Sequence, residues 1–303
     1  MQTDCVLDAR KVSKSFGRAR VLTDVSVTIG RGEMVGLIGA SGSGKSTLIR
    51  AIAGLTPIDR GTGGDDGAIL LFGQPMQRDG RVARAANGLR ARVGVVFQQF
   101  NLVPRLSVLT NVCLGVLGRM PALRAAFGRF RLEDRQQAMA ALDRVGIAEH
   151  ALKRGSELSG GQQQRAAIAR TLVQRAEFIV ADEPIASLDP RSARRVMDIL
   201  ADLNRRDGLT VLVSLHQVEY ALTYCPRTIA LKDGRVAYDG PSHALTPAFL
   251  NSLYGAESSD LFGSPDLALS IPAQKQCATR KSDAALPAAF IARRLEVQNE
   301  LRA

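Results

Sequence analysis

The chain has 303 residues, a formal net charge of +11 and a hydrophobic fraction of 46%. That length accommodates one large or two small domains around a substantial core. No uninterrupted apolar run reaches the roughly 18 residues of a membrane span, and the opening M-Q-T-D-C-V-L-D-A-R lacks a basic start followed by an apolar stretch, so neither a membrane helix nor a secretory leader is expected and a cytosolic protein is.

From the N-terminus, V-L-D-A-R-K-V-S-K-S-F and V-L-T-D-V-S-V-T-I read as two strands separated by G-R-A-R. E-M-V-G-L-I (33–38) is an apolar run closed by a glycine-rich turn, which predicts a buried strand. L-I-R-A-I-A-G (48–54) predicts a helix stopped by Gly54. A loop, G-T-G-G-D-D-G (61–67), precedes strands expected near 68–72 and 93–97. The stretch 98–171 reads as helical, and Ala138, Ala141, Leu142 and Val145 make one apolar helix face that ends at Gly146. Strand patterns return at 178–181 and 210–215, and K-D-G-R (232–235) predicts a hairpin turn. Beyond Tyr254 the pattern fades into Ser, Ala and Pro, so 256–303 is expected to be a weakly ordered extension, with one short amphipathic helix around 288–301.

The four cysteines, Cys5, Cys113, Cys225 and Cys277, and the three histidines are dispersed, which predicts neither a disulfide framework nor a zinc site. The positive charge is uneven. Residues 78–135 hold eleven arginines against Asp79, Glu133 and Asp134. Such a patch suits an anionic surface, and it is equally consistent with a chain-wide preference for arginine over lysine.

Three strings carry chemistry. G-A-S-G-S-G-K-S-T comprises Gly39, Ala40, Ser41, Gly42, Ser43, Gly44, Lys45, Ser46 and Thr47, with a strand before it and a helix after it. Its glycines let backbone N–H groups turn inward as an anion nest, and the helix start adds positive character. Lys45 is expected at the β- and γ-phosphates of a nucleotide, Ser46 on Mg2+, and Thr47 on the phosphate side. F-I-V-A-D-E-P ends a strand in Asp182 and Glu183, whose side chains must diverge because strand side chains alternate. Asp182 is expected at the metal and Glu183 as the general base. In L-S-G-G-Q, Ser159, Gly160, Gly161 and Gln162 open a helix and offer a second phosphate-binding terminus, best used on a partner chain's nucleotide.

Three single residues fit the same site. Gln98 is expected to end the strand V-G-V-V-F and begin the helical part, where it can reach metal and water, although a lone glutamine also suits a solvated surface. His216 follows T-V-L-V-S-L, at the strand end where open α/β sheets carry sites, although a lone histidine can be structural. Phe16 can stack on adenine or be a buried strand aromatic.

In this order the motifs resemble the nucleotide-binding domain of ABC transporters over residues 7–254. The resemblance implies an α/β P-loop NTPase fold with a RecA-like core, an antiparallel β subdomain and an α-helical subdomain near 98–172. It implies ATP and Mg2+ as ligands, and a head-to-tail homodimer in which Ser159, Gly160, Gly161 and Gln162 meet the partner's ATP. It further assigns Gln98 to metal and water, His216 to the γ-phosphate, and S-L-D-P (187–190) to the dimer contact. Q-Q-F-N-L-V-P-R-L-S-V-L-T-N-V (98–112) and S-L-H-Q-V-E-Y-A-L-T-Y-C (214–225) look like the phosphonate-importer branch. That implies an ATPase on the cytoplasmic face of the inner membrane, served indirectly by an extracytoplasmic binding protein, with no nucleic-acid partner; phosphite, a phosphate ester or another small anion stays open as cargo, and a soluble ABC ATPase acting on nucleic acid is the rival reading. Permease subunits are expected to dock near 101–130, where Leu102, Val103, Leu106, Val112, Leu114 and Phe127 form an apolar docking surface or simply pack the helical subdomain.

Overall fold

Five parallel strands, most of them buried on both faces, run through the centre of the molecule, as their unbroken apolar runs require. The computed structural model describes residues 5–61, 67–120, 128 and 130–255. The segment 256–303, with the helix expected near 288–301, lies outside the described residues, as do 62–66 of the glycine and aspartate loop. In chain order the strands are β1 (Cys5–Phe16), β2 (Ala19–Gly30), β3 (Met34–Ile38), β4 (Ala68–Leu71), β5 (Gln74–Arg78), β6 (Arg81–Val82), β7 (Val93–Val96), β8 (Phe178–Ala181), β9 (Thr210–Ser214), β10 (Arg227–Lys232) and β11 (Arg235–Pro241). The α-helices are α1 (Lys45–Ile52), α2 (Ala86–Arg92), α3 (Val108–Cys113), α4 (Leu132–Arg144), α5 (Gly160–Gln174), α6 (Pro190–Asp207), α7 (Val218–Tyr224) and α8 (Pro247–Tyr254).

One sheet is antiparallel, in the order β2-β1-β4-β5-β6; the other runs β11-β10-β3-β9-β8-β7. In the second, β10, β3, β9, β8 and β7 are parallel neighbours, and β11 pairs antiparallel at one edge. The pleat splits each central strand between two cores. Val35, Leu37, Phe178, Val180 and Leu212 join α1 and the antiparallel sheet on one face. Met34, Ile38, Ile179, Ala181, Val211 and Val213 join the helices on the other. The hairpin expected at 232–235 is present, with Asp233 and Gly234 both at positive φ (48° and 72°), the conformation that favours Asp-Gly.

No helix among the described residues is long and apolar enough to cross a membrane. The helical reading of 98–171 needs correction at its start. Residues 97–107 are a loop in which Phe100 and Asn101 have positive φ, and Pro104 interrupts the chain. Asn111, fully buried, holds this loop: its carboxamide accepts from Val103 N–H at 2.7 Å and donates to the carbonyls of Val103, Leu106 and Ser107. A side chain thereby replaces the hydrogen bonds that a helix would have supplied. Asn111→Leu is expected to leave these buried backbone groups unpaired. The expected cost is about 2 kcal/mol, read as a melting temperature lower by roughly 4–8 °C.

Burial pushes both the Cys113 and the Cys225 thiols up to about 12. Among the described residues no cluster of His, Cys, Asp or Glu is built to cage a metal.

Candidate active site

The site assembles at the C-terminal ends of adjacent parallel strands, where an open α/β sheet leaves its crevice. β3 leads into Gly39, β8 into Asp182 and Glu183, and β9, between them, into Leu215 and His216. The phosphate loop is tightly backed. A Cβ at Gly39 would lie 2.3 Å from the carbonyl oxygen of Leu231 in β10, so only glycine fits. Gly44 caps α1 at φ 102°. Ser41 and Gly42 form the exposed tip, whereas Ser43, Gly44 and Lys45 are buried and Ser46 and Thr47 are half-buried. Lys45 Nζ donates to the carbonyls of Gly39 at 2.7 Å and Ala40 at 3.2 Å, curling the side chain back over its own loop. The buried hydroxyl of Ser43 has no hydrogen-bond partner. An orphaned donor in a loop ringed by backbone N–H groups fits an anion.

The acid pair is fixed by a serine that sequence reasoning missed. Ser214, fully buried at the end of β9, donates to Asp182 Oδ1 at 3.0 Å and accepts from the Glu183 N–H at 2.8 Å. Ser46 donates to the same Asp182 oxygen at 3.0 Å, which ties the phosphate loop to the acid strand. Asp182 and Ser46 are therefore two adjoining oxygen donors. That is the sparse set with which proteins hold Mg2+ when substrate phosphates and water complete the shell.

Glu183 sits in the left-handed region at φ 49°, a strained position for a side-chain-bearing residue. Its Oε1 lies 2.6 Å from His216 Nε2. The hydrogen bond from His216 holds the Glu183 carboxyl below the ordinary carboxylate range; burial opposes this, and the electrostatic pull of His216 and Lys45 reinforces it. A carboxylate so held is a proton acceptor at neutral pH.

The S-G-G-Q turn stands on other elements. Ser159 caps α5: its hydroxyl accepts from Gln162 N–H at 3.4 Å, while Gln162 Oε1 accepts from Ser159 N–H at 2.9 Å. A Cβ on Gly161 would meet Ser192 Oγ at 2.7 Å, so this turn seats against the start of α6. Asp189, in the S-L-D-P string, caps that helix through Arg191 and Ser192 N–H groups.

Gln98 does not end a strand: β7 stops at Val96, and Gln98 lies exposed in the following turn. Its place is still beside the acids, because Val96 pairs with Ala181 and accepts from Asp182 N–H at 2.8 Å. Phe16 is 54% exposed, so it is not a core aromatic; Lys14 Nζ sits 5.3 Å from its ring centroid. Of the apolar residues expected to form a docking surface, Val112 is fully buried in the core and Leu102 packs against it. Val103 is exposed, and Phe127 lies outside the described residues. A second residue missed in sequence is Tyr254 of α8, whose hydroxyl accepts from Gly39 N–H at 3.3 Å.

The chain is similar to known proteins over most of its length. A family model described as ABC transporter matches residues 22–186. The Phosphonates import ATP-binding protein PhnC of Stutzerimonas stutzeri is 58% identical over 254 residues, 84% of this chain and 91% of that one. Its namesake in Caulobacter vibrioides is 55% identical over 262 residues, 86% of this chain and 98% of that one. Among solved structures, a dimeric ATP-binding cassette in a post-hydrolysis state bound to ADP and Pi is 32% identical, with a TM-score of 0.66 over 79% of this chain and all of that one. The chain therefore belongs to the ABC transporter family, as one of its ATP-binding subunits.

Proposed function

We propose that the chain hydrolyses ATP to energise phosphonate import, working as a head-to-tail pair beneath two permease subunits at the cytoplasmic face of the inner membrane. The observation that carries the hydrolytic part is the 2.6 Å contact of His216 with Glu183 at strand ends next to the Lys45 loop. The cargo is inferred from the two relatives named as phosphonates import proteins.

In this reading Gly39, Ala40, Ser41, Gly42, Ser43 and Gly44 wrap the phosphates with backbone donors. Lys45 transfers its hydrogen bonds from the loop carbonyls to the β- and γ-oxygens, and Thr47 supports the phosphate side. Phe16 stacks on the adenine. Ser46, Asp182 and Gln98 would hold Mg2+, which when bound offsets charge on the phosphate oxygens. Glu183, already ionised, takes the proton of the attacking water. His216 keeps that carboxylate aimed and reaches toward the γ-phosphate. The partner copy supplies Ser159, Gly160, Gly161 and Gln162. Each ATP then touches two chains, so binding favours the closed pair through differential affinity, and loss of the γ-phosphate reopens it.

A cavity of about 540 Å3 between α2, the turn Leu114–Arg119 and α5 supports docking of the permease on this side; Arg90, Arg119 and Arg170 line it. Burial lowers the Arg119 and Arg170 guanidinium pKa values, as expected of cations set into a partly desolvated wall.

The test is reconstitution of the full chain with its permease in proteoliposomes, with a phosphonate-loaded binding protein outside. Stimulated ATP hydrolysis and uptake of labelled alkylphosphonate are expected. Uptake of phosphite or a phosphate ester in place of phosphonate would overturn the cargo, and an absence of transport with all three would overturn the importer.

A further inference from the structure

The S-G-G-Q turn is braced by a histidine that none of the motifs contains. His150 closes the short turn Ala148–His150, and its side chain is 17% exposed. Its Nε2 lies 2.7 Å from Gln162 Nε2. The orientation of the Gln162 amide is not free. Its Oε1 already accepts from Ser159 N–H, so the NH2 group faces His150. His150 Nε2 must then be the acceptor, and the ring proton must sit on Nδ1, an atom that is buried and has no partner. A neutral His150 of this one tautomer thus completes a chain from Nε2 through Gln162 to the backbone of Ser159.

The same nitrogen has a competitor. Glu149 Oε1 lies 3.4 Å from Nε2. In the other tautomer, with the proton on Nε2, the ring would face Glu149 and could not accept from Gln162. Arg165 on α5 feels both Glu149 and Arg195 of α6, and it donates to the Val145 and Gly146 carbonyls. Helix α3, which bonds the Ala151 and Lys153 carbonyls beside the ring, carries no charged residue.

We propose that His150, with its ring proton on Nδ1, positions the Ser159–Gln162 turn by accepting from Gln162 at Nε2. This rests on the reading that the turn meets a partner's ATP. His150 is a positioning residue, acting only through Gln162. Loss of the ring should therefore weaken ATP-driven pairing while leaving nucleotide binding by a single chain unchanged.

The experiment uses full-length chain carrying Glu183→Gln, with dimerisation by ATP followed by analytical ultracentrifugation. With His150→Leu the dimer Kd is expected to rise about fivefold over that of the chain with His150 present, the effect of one lost hydrogen bond. Imidazole nitrogen NMR on the unsubstituted chain provides the second measurement, with the proton on Nδ1 expected at neutral pH. A proton on Nε2, or a dimer Kd unchanged in His150→Leu, would overturn the proposal. Ser159→Ala separates the two levels. If it dimerises normally, the partner reading itself fails; if it does not while His150→Leu does, only the role of His150 fails.

Discussion

Replacing Glu183 by glutamine is expected to lower ATP turnover by about 10²–10⁴-fold, the usual contribution of a positioned base, while ATP binding persists. Glutamine keeps the shape and can still meet His216, but it cannot take a proton. The variant should therefore accumulate as an ATP-bound pair, visible as a stable dimer. The pH dependence adds a second signature. The hydrogen bond from His216 holds the Glu183 carboxyl down, so the acid limb of the wild-type rate profile should fall below the ordinary carboxylate range. His216→Ala removes that bond and leaves the opposing effect of burial, so the acid limb should move up. The stability consequence has the same sign. A carboxyl depressed in the folded chain stabilises it above the unfolded value, and that contribution is lost as pH falls through the folded one. Normal turnover by Glu183→Gln would remove the base assigned here, and an acid limb unmoved in His216→Ala would remove the role of the histidine.

Lys45→Ala is expected to weaken ATP binding by about 10²-fold or more, because charge-assisted hydrogen bonds to phosphate are among the strongest a side chain makes. The ammonium is held ready within the loop by Gly39 and Ala40. Little reorganisation is then needed before it meets an anion, and its removal leaves two carbonyls facing the nest. Calorimetric titration measures the binding directly. A thermal shift checks it independently: ATP at 100 times its Kd stabilises the wild type by about 2.7 kcal/mol, and the variant should show almost none of this. Binding within about threefold of wild type would show that the backbone N–H groups suffice.

The strands and the phosphate loop were legible because their signals are local. β3 and β8 read as buried strands from short apolar runs, and both faces of each are covered. The turn at Asp233 and Gly234 needs only its own two residues. Ser214 and Tyr254 were not legible, because each acts through a neighbour placed there by the fold. Ser214 is an ordinary strand residue until β8 and β9 pair and bring Asp182 alongside it. β5 was missed for another reason. Its buried positions include Gln77, whose carboxamide bonds Ile58 N–H and the Ala51 and Thr56 carbonyls, so the core there does not look apolar. Helix α6 had a readable start, with Asp189 at the cap and Pro190 just inside it. Behind that cap Ala193, Val196, Met197 and Leu200 form an amphipathic stripe, diluted in the sequence by the arginines and aspartates of the exposed face.

The hydroxyl of Tyr254 reaches a glycine 215 positions earlier in the chain. On a ribosome the first glycine of the nucleotide cradle emerges early, yet its rear support is synthesised near the close of the described chain. Domains fold as units once their parts are available. An unfinished copy still on the ribosome therefore has the lysine of that loop in hand but lacks the finished seat behind it.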